Sequence, residues 1–483
     1  MCSGRKMVRV LTELGRGDGE DRISQIPDEI IHTILCCLNS PEAAAKTSVL
    51  SRRWLHLWRS FPHVEFQLSK QNQSRFRSFV ESTSAKLLRL LSDSDHGNSG
   101  SSCAAVATIE DFSIYVDDDF QKEDIDRLLL LISNGNGLSP VMFVLGFKSH
   151  PGYSLLVPNW SRTKFVALRG CDLTSATTLG FHDNLGSLEF LRLDNVSLSE
   201  ELLHRILANS PCLASLNLYR IFGIDRLEVV SSPCLESLYL GYIDRGGRRG
   251  SECPPEEMRR LRVSSPKLKK MSIWQGLEEL DIDAPNLVSL FGAVNPSYPL
   301  MKVNVVNLAS DCQSTVYVVS YVDEFTPQWL RLSLSTTFTQ FRHLILRFTS
   351  CFSLSEQQVP RLSQAVYAAP PPRIDELQFG PLLERICDIE EAAAFVNSLF
   401  WACLPKFMSI AKGEDSALIA EYMCREYLKL SSPSGMNEAT SWTRHLKDMK
   451  IENGSTGEVM EISEDVIPSL PEQKKVRFML TWC

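Results

Sequence analysis

The side chains that could carry chemistry are scattered along this chain of 483 residues. Its fourteen cysteines form no C-x-x-C pair, and adjacent Cys36 and Cys37 would point around a helix in two directions, so no zinc or redox site is indicated. No H-E-x-x-H, G-x-S-x-G or Walker A motif occurs. The nine histidines are dispersed, and Glu390-Glu391 is typical of a solvated helix face. The sequence therefore predicts no catalytic residue, no cofactor and no metal.

The charge balance is mildly acidic, with 50 Lys and Arg against 58 Asp and Glu and a formal net charge of −8. This balance argues against a general polyanion binder. The hydrophobic fraction of 44% is typical of a chain that folds. The most apolar run, Leu128–Ile132, is far shorter than the roughly 20 residues that span a bilayer. We therefore expect neither a membrane nor a nucleic acid as a partner, and a reducing cytoplasmic or nuclear location.

Two tryptophans, Trp54 and Trp58, lie four residues apart among three arginines in the stretch SVLSRRWLHLWRS. Base reading in DNA needs polar side chains presented together, whereas this stretch mixes its arginines with residues that favour burial. A docking surface for another protein fits better, because tryptophan anchors dominate such surfaces. We expect Trp58 to be a core residue, Trp54 to contact the partner, and the arginines to form a solvated rim.

The residues around these tryptophans predict three short helices. Pro27 and the acids after it open the first, and five apolar residues then share one wide face: Ile30, Ile31, Ile34, Leu35 and Leu38. Asn39-Ser40-Pro41 would end that helix and begin a second, in which the small Val49 permits close packing. Ser51 would cap the third. Three helices in about forty residues bury too little core to stand alone, so they should lean on a partner, on the next domain, or on both.

The order and spacing of these residues resemble the F-box of plant F-box proteins. The matching residues are Ile26-Pro27-Asp28-Glu29-Ile30-Ile31, Ile34-Leu35, Thr47-Ser48-Val49-Leu50-Ser51-Arg52-Arg53-Trp54 and Leu57-Trp58, with Ile26 in place of the usual leucine. In that family the motif binds the Skp-family adaptor of a Skp–cullin–F-box ubiquitin ligase. The resemblance therefore implies an adaptor and, through it, a cullin scaffold as partners. It assigns six residues to the adaptor contact or its immediate support: Pro27, Ile30, Ile34, Leu35, Leu50 and Trp54.

From Val166 onward, pairs of apolar residues separated by one residue recur along the chain. The pairs are Val166/Leu168, Leu191/Leu193, Leu216/Leu218, Leu238/Leu240 and Met271/Ile273, with another near Leu290. The clearest copies are SPCLASLNL and SPCLESLYL, followed by SPKLKKMSI and APNLVSLFG. This is the leucine-rich-repeat signature, in which short strands stack into one core and the other strand residues line a concave wall. We expect LEELDI, at 277–282, and the insertion DRGGRRGSECPPEE, at 244–257, to break the period.

The C-terminal third has a similar pattern. WLRLSL, HLILRF and IDELQF predict strands, and FVNSLFWACLPKFMSI predicts a helix followed by a strand. The stretches WTRHLKDMKIENG and KKVRFMLTWC resemble the C-terminal, FBD-like module of plant F-box/leucine-rich-repeat proteins. We expect Trp442 and Trp482, which lie in these two stretches, to cap the core of the repeats.

Together these patterns predict an α/β fold, with a short N-terminal three-helix F-box followed by an irregular leucine-rich-repeat solenoid. The predicted domains are a disordered tail at 1–20, the F-box at 21–66, a connecting helix with a flexible loop at 92–104 and first repeat-like units within 67–164, irregular repeats at 165–380, and a repeat-capping, FBD-like module at 381–483.

The resemblance implies a non-catalytic, substrate-recognition subunit of a ubiquitin ligase. Such a subunit acts by tethering an unknown protein substrate at high effective concentration, while other subunits transfer ubiquitin. One alternative is a leucine-rich-repeat interaction scaffold that recruits no ligase. Another is a nucleic-acid-binding protein that uses the cations Lys46, Arg52, Arg53 and Arg59. A small-molecule co-ligand in the repeats also stays open.

Overall fold

The structure is a computed structural model of the whole chain. The residues it describes are 25–38, 46–59, 63–68, 80–85, 87–88, 109–116, 122–134, 140–147, 153–155, 160–174, 185–230, 232–241, 259–274, 277–294, 301–318, 327–339, 341, 343–348, 370–379, 388–411, 414–430, 442–453, 457–465, 467 and 475–483. The predicted tail at 1–20, the loop at 92–104 and the helix start at Ser40-Pro41 lie outside these residues. Two compact units comprise residues 1–150 with 156–165, and residues 151–155 with 166–483.

The first unit combines two N-terminal helices with three parallel strands and a third helix. Its elements are α1 Asp28–Cys36, α2 Arg52–Arg59, β1 His63–Leu68, β2 Asp111–Val116, α3 Lys122–Asn134 and β3 Met142–Phe147, and residues 80–85 and 87–88 are also helical. β2 pairs in parallel with β1 on one side and with β3 on the other. Phe112 of β2 stacks on Phe143 of β3, with 5.4 Å between the ring centroids. Helix α3, which contains the stretch DIDRLLLLIS, buries Leu128 and Ile132.

The second unit is rich in strands. Its elements up to the last parallel strand are β4 Tyr153–Ser154, β5 Phe165–Arg169, β6 Cys171–Asp172, β7 Phe190–Ser197, α4 Glu200–Ala208, β8 Ser215–Phe222, β9 Arg226–Val229, β10 Ser237–Gly241, β11 Arg260–Ser264, β12 Lys270–Trp274, β13 Glu279–Ala284, β14 Ser289–Val294, β15 Lys302–Leu308, β16 Gln313–Val318, α5 Pro327–Thr336, β17 His343–Phe348, β18 Arg373–Phe379, α6 Ile389–Ala402 and β19 Leu404–Ala411.

Strands β7, β8, β10, β12, β14, β16, β17, β18 and β19 pair in parallel, in that order, and form what we call the main sheet. The predicted apolar pairs stack in register across it. Leu216 of β8 lies beside Leu191 of β7 and Leu238 of β10, and Leu238 lies beside Met271 of β12. These side chains are buried, so successive strands build one continuous apolar core.

The S-P-x-L and A-P-x-L stretches before the strands form turns whose first and last residues are buried. In each, the leucine N–H donates to the carbonyl of the residue three positions earlier, as Leu235 does to Ser232 and Leu287 to Ala284. The first residue of the turn is small because it is fully enclosed, and the leucine that ends the turn enters the core. The Oγ of Ser265 donates to the Ser232 and Leu235 carbonyls, which ties one turn to the next.

Strands β9, β11, β13 and β15 form a second parallel sheet, which we call the second sheet. The chain enters it between consecutive main-sheet strands from β8 to β16, so LEELDI leads into β13 and does not interrupt the repeat. The expectation that LEELDI breaks the period was therefore wrong, whereas the insertion DRGGRRGSECPPEE, at 244–257, lies outside the described residues. Leu261 of β11 pairs with Leu227 of β9 and Leu280 of β13, and these leucines are buried. From β8 to β13, each strand of the two sheets thus carries one buried apolar pair.

WLRLSL lies in helix α5, so its prediction as a strand was wrong. Leu330 and Leu334 are buried four residues apart, which is the spacing of one helical face, while Leu332 between them is only half-buried. The alternation of leucines therefore concealed a helical pattern. HLILRF and IDELQF form β17 and β18 as predicted, and α6 runs into β19 as predicted.

The C-terminal segment closes the main sheet with antiparallel strands. Its elements are α7 Glu414–Leu430, a 3₁₀ turn Thr443–His445, β20 Leu446–Asn453, β21 Val459–Glu461 and β22 Lys475–Trp482. β22 pairs with β19 on one side and β20 on the other. Trp442 and Trp482 are buried and pack on Phe400, with ring centroids 4.9 and 5.3 Å away, as expected for residues that cap the core.

Arg477 connects three strands at this end of the main sheet. Its guanidinium lies 3.3 Å from a carboxylate oxygen of Glu376 in β18 and 3.1 Å from one of Glu452 in β20, and it covers the Phe407 ring at 4.0 Å. Ser409 donates a further hydrogen bond of 2.7 Å to Glu376. Among the described residues, no helix has the length and apolarity needed to cross a membrane.

Candidate partner-binding site

Helices α1 and α2 pack against each other through four buried side chains, which are Ile31 and Leu35 of α1 and Trp54 and Leu57 of α2. Their exposed fractions do not exceed 5%, and each pair is spaced to share one helical face. Ser51 caps α2 as predicted, because its Oγ accepts a hydrogen bond of 3.2 Å from the Trp54 N–H. The two helices therefore have a small apolar core of their own.

Arg53 clamps the start of α1 to α2. Its Nε donates to Asp28 Oδ1 at 2.8 Å, and its Nη2 contacts the same carboxylate oxygen and the Ile26 carbonyl, the latter at 2.6 Å. The Arg53 side chain is 37% exposed, as expected for a rim residue, but its guanidinium is also held by this contact. Because its guanidinium is already hydrogen-bonded within the chain, Arg53 is a poor candidate for a nucleic-acid contact. Lys46 and Arg52 are exposed.

The six residues that the resemblance assigned to the adaptor contact divide by burial. Pro27 is exposed, Ile30 is 50% exposed and Leu50 is 56% exposed, whereas Ile34 is half-buried. The remaining two, Leu35 and Trp54, belong to the core between the helices. The first three are thus available on the surface, and the last two could act only as its support.

Burial in this segment differs in two respects from the pattern that the sequence suggested, while the role of Trp54 towards a partner stays a prediction. Trp54 is the enclosed tryptophan, and Trp58 is only partly buried against the same core. Val49, expected to permit close helix packing, is 84% exposed. Val49 and Leu50 therefore form a pair of adjacent exposed apolar residues just before α2, and the sequence pattern alone had singled out only Leu50.

The apolar face of α1 is wider than the surface that α2 covers. At about 100° per residue, Ile30 lies some 40° from Ile34 and 100° from Ile31 around the helix axis. Burial rises along this arc, from the half-exposed Ile30 through Ile34 to the enclosed Ile31 and Leu35. An apolar surface that continues from a core into solvent is typical of a protein-interaction site.

A second candidate surface is what we call the outward face of the main sheet. It consists of the strand residues that alternate with the buried leucines. On this face the rings of Tyr219 and Tyr239 stack on each other, with centroids 4.6 Å apart. The ring centroids of Trp274 and Tyr317 are 4.8 Å apart. Burial raises the pKa of the Tyr239 hydroxyl, and the neighbouring Tyr219 adds to that rise, so it stays a neutral hydrogen-bonding group. The arrangement can contact a partner but contains no acid–base pair.

The groups considered at the outset for chemistry have structural roles where the structure describes them. Glu390 and Glu391 stand in the first turn of α6, where their N–H groups donate to the Asp388 carboxylate that caps the helix. Burial raises the pKa of Cys312 to about 11 and that of Cys424 to about 12, so these thiols are protonated and unreactive at neutral pH. Within the described residues, no group of three His, Cys, Asp or Glu side chains could hold a metal ion.

Two protein-family models match the chain. The F-box domain model matches residues 23–65, which contain α1 and α2. A model described as "FBD-associated F-box protein At5g56370, LRR repeats" matches residues 153–246, which contain main-sheet strands β7, β8 and β10. The first match thus covers the first candidate surface, and the second covers the part of the outward face that contains Tyr219 and Tyr239.

Similar proteins from Arabidopsis thaliana bear the same features in their names. "F-box/LRR-repeat protein 25" is 26% identical over 254 residues, which is 51% of this chain and 83% of the relative. "F-box protein At5g03100" is 26% identical over 227 residues, 46% of this chain and 64% of the relative. "F-box/FBD/LRR-repeat protein At1g51370" is 35% identical over 83 residues, 17% of this chain and 18% of the relative. An F-box segment followed by a leucine-rich-repeat region thus identifies the chain as similar to the plant F-box/leucine-rich-repeat, FBD-associated proteins.

Proposed function

We propose that this protein is the substrate-recognition subunit of a Skp–cullin–F-box ubiquitin ligase. The segment 25–59 docks a Skp-family adaptor, and the repeat region binds a target protein. The chain contributes no bond-making group, because holding the target near the charged ubiquitin is enough to raise the effective concentration of the reacting amine.

The observation that carries this proposal is the uncovered apolar surface beside the α1–α2 core. Ile30, Val49 and Leu50 are half-exposed or more, within a segment that the F-box model matches. Fully burying an aliphatic side chain of this size contributes about 1.5–3 kcal/mol. Three such residues therefore offer a partner several kcal/mol, while Leu35 and Trp54 hold the two helices together.

Co-purification of the full chain with a Skp-family adaptor tests the docking step. We expect a stable complex from wild-type protein and its loss from the variant Val49→Asp/Leu50→Asp, since charges on that surface oppose burial. The matched control is Leu130→Asp, which places a charge on a leucine of α3 that is 47% exposed. Failure of folded wild-type protein to bind the adaptor would remove the ligase proposal.

The alternative function, an interaction scaffold, has the same architecture as a ligase subunit and differs only in what happens to the bound target. A scaffold would bind its target through the repeats without promoting ubiquitin transfer. Reconstitution of the chain with the adaptor, cullin and charged ubiquitin enzyme separates the two, because a ligase subunit modifies a captured target and a scaffold leaves it unmodified.

A further inference from the structure

The outward face of the main sheet carries an excess of positive charge that the chain as a whole does not. From β7 to β17 the main-sheet strands contain one carboxylate, Asp194, and it is already paired with Arg220 at 3.2 Å and with Arg169 at 3.7 Å. By contrast, the four strands of the second sheet carry equal numbers of acidic and basic residues, with pairs such as Arg260–Glu279 at 3.0 Å. The net charge of the protein is −8. The positive face is therefore a local feature of the main sheet.

Three cations on this face have no carboxylate partner among the described residues: Arg192 of β7, Lys270 of β12 and Arg347 of β17. The two arginines rest on tyrosines instead. The Arg192 guanidinium lies 4.8 Å from the Tyr219 ring centroid and that of Arg347 lies 5.5 Å from the Tyr317 ring. Arg347 Nη1 also donates to the Tyr317 hydroxyl at 2.8 Å, while its buried Nε has no acceptor in the described part of the chain.

Arg192 and Arg347 flank a strip of aromatic side chains, and Lys270 lies on the same strand as one of its members. We call it the aromatic strip: Tyr219, Tyr239, Trp274 and Tyr317. Gly241 lies within the strip, beside Tyr219 of β8 and Trp274 of β12 in the register. A Cβ atom at Gly241 would come within 2.7 Å of ring atoms of Tyr219 and Tyr239, so a glycine here lets the two rings lie against the backbone. Aromatic rings beside unpaired arginines are typical of protein-binding hot spots.

The spacing of the cations favours a polypeptide over a nucleic acid. Arg192 and Arg347 are six strands apart, which is about 29 Å at roughly 4.8 Å per strand. An extended peptide covers that distance with about nine residues at roughly 3.3 Å each. Duplex DNA carries one charge per about 1.7 Å, so some 17 phosphates would face three unpaired cations.

We propose that the outward face of the main sheet binds an extended, acidic segment of a target protein, whose carboxylates pair with Arg192, Lys270 and Arg347 and whose apolar side chains rest on the aromatic strip. This inference rests on the proposed function for its biological role, because it names the class of target that the repeats recognise. Its physical basis is separate from that of the adaptor site, since it uses residues of the repeat region alone.

Selection of peptides from a random nonapeptide display library on the purified full chain tests this site. We expect winners that combine two or more Asp or Glu residues with aromatic or aliphatic ones. In fluorescence polarisation, Arg192→Gln, Lys270→Gln and Arg347→Gln should each weaken a winning peptide by about tenfold, because each removes a charge-assisted hydrogen bond. Arg262→Gln is the matched control, as Arg262 is an exposed cation of the second sheet. It should leave the affinity unchanged.

Several results would overturn the proposal. One is a set of winners without acidic residues, and another is equal binding of acidic winners to wild type and to all three variants. A third is tighter binding of a twelve-nucleotide single-stranded DNA than of any peptide, lost in the same variants. Arg347→Lys keeps the charge and should retain more affinity than Arg347→Gln, which separates a lost ion pair from local misfolding. Adaptor binding, measured on each variant, stays at the wild-type level, so failure here is distinct from failure of the ligase proposal.

Discussion

Leu50→Ala should weaken adaptor binding without weakening the fold. Leu50 is 56% exposed and lies outside the core of Ile31, Leu35, Trp54 and Leu57. The substitution removes three carbon atoms, which at about 0.8 kcal/mol per buried methylene amounts to about 2.4 kcal/mol for a side chain that a partner takes fully out of water. Scaling by the exposed fraction gives a loss of about 1.3 kcal/mol, or roughly tenfold in Kd.

Isothermal titration of the full chain with a purified Skp-family adaptor measures this loss, and thermal unfolding of the same sample checks the fold. Leu130→Ala is the matched control, because it truncates the same residue type at 47% exposure on α3. We expect Leu50→Ala to raise Kd by about tenfold at an unchanged unfolding midpoint, with no change of Kd for Leu130→Ala. Equal Kd values for the two variants would refute the assignment of this surface to the adaptor.

Three further predictions concern the stability of the fold. Trp54→Ala should destabilise the α1–α2 pair by about 3–5 kcal/mol, since it empties a buried site; hydrogen exchange of α1 would report the loss, and unchanged protection would contradict it. Arg477→Ala should lower the free energy of unfolding, measured in urea, by about 3 kcal/mol, because Glu376, which is 8% exposed, loses its cation. An Arg477→Lys variant that loses as much would argue against the charge as the cause. Burial raises the pKa of Cys424 from 9.0 to about 12, so the folded state keeps a proton that the unfolded state releases above pH 9. The free energy of unfolding should therefore fall as the pH rises from 9 to 12. In a Cys424→Ala variant, the urea midpoint should fall less steeply over the same pH range.

The repeats could be predicted from the sequence because their signal is local. An apolar pair such as Leu216 and Leu218 occupies one strand, and its neighbours repeat the pair after a turn whose small first residue is also visible in the sequence. Alternation at a spacing of two residues places both leucines on one face, although the register between strands could not be fixed from the sequence alone. The apolar positions of the main-sheet strands β7, β8, β10, β12 and β14 were found in this way.

The second sheet was missed although its signal has the same form. RLEV, RLRV and ELDI each carry an apolar pair at a spacing of two, and these pairs align with one another, not with those of the main sheet. Treating all pairs as one series made ELDI look like an interruption. The sequence of α5 was ambiguous for a related reason, because Leu330, Leu332 and Leu334 fit a strand and a helix equally until the surrounding packing decides.

The site was predictable only in outline. Which tryptophan is enclosed depends on how α1 crosses α2, and that angle is set in part by the contact of Arg53 with Asp28, 25 residues earlier in the chain. The positive charge of the outward face likewise depends on which charges find partners, as Arg220 does with Asp194 across a strand boundary. Neither relationship leaves a local pattern that periodicity could reveal.

The chain alternates between two sheets, and its connections are of nearly constant length in one direction and of variable length in the other. Where the chain crosses from the second sheet to the main sheet, the connections are four to seven residues long. In the opposite direction they range from three residues, 223–225, to eighteen, 242–259. Added length at a connection costs little free energy, since the entropy of closing a loop grows only slowly with its length. Extra segments can therefore accumulate beside the strand ends that hold Tyr219 and Trp274, and new binding preferences can evolve there while the stacked leucines stay untouched.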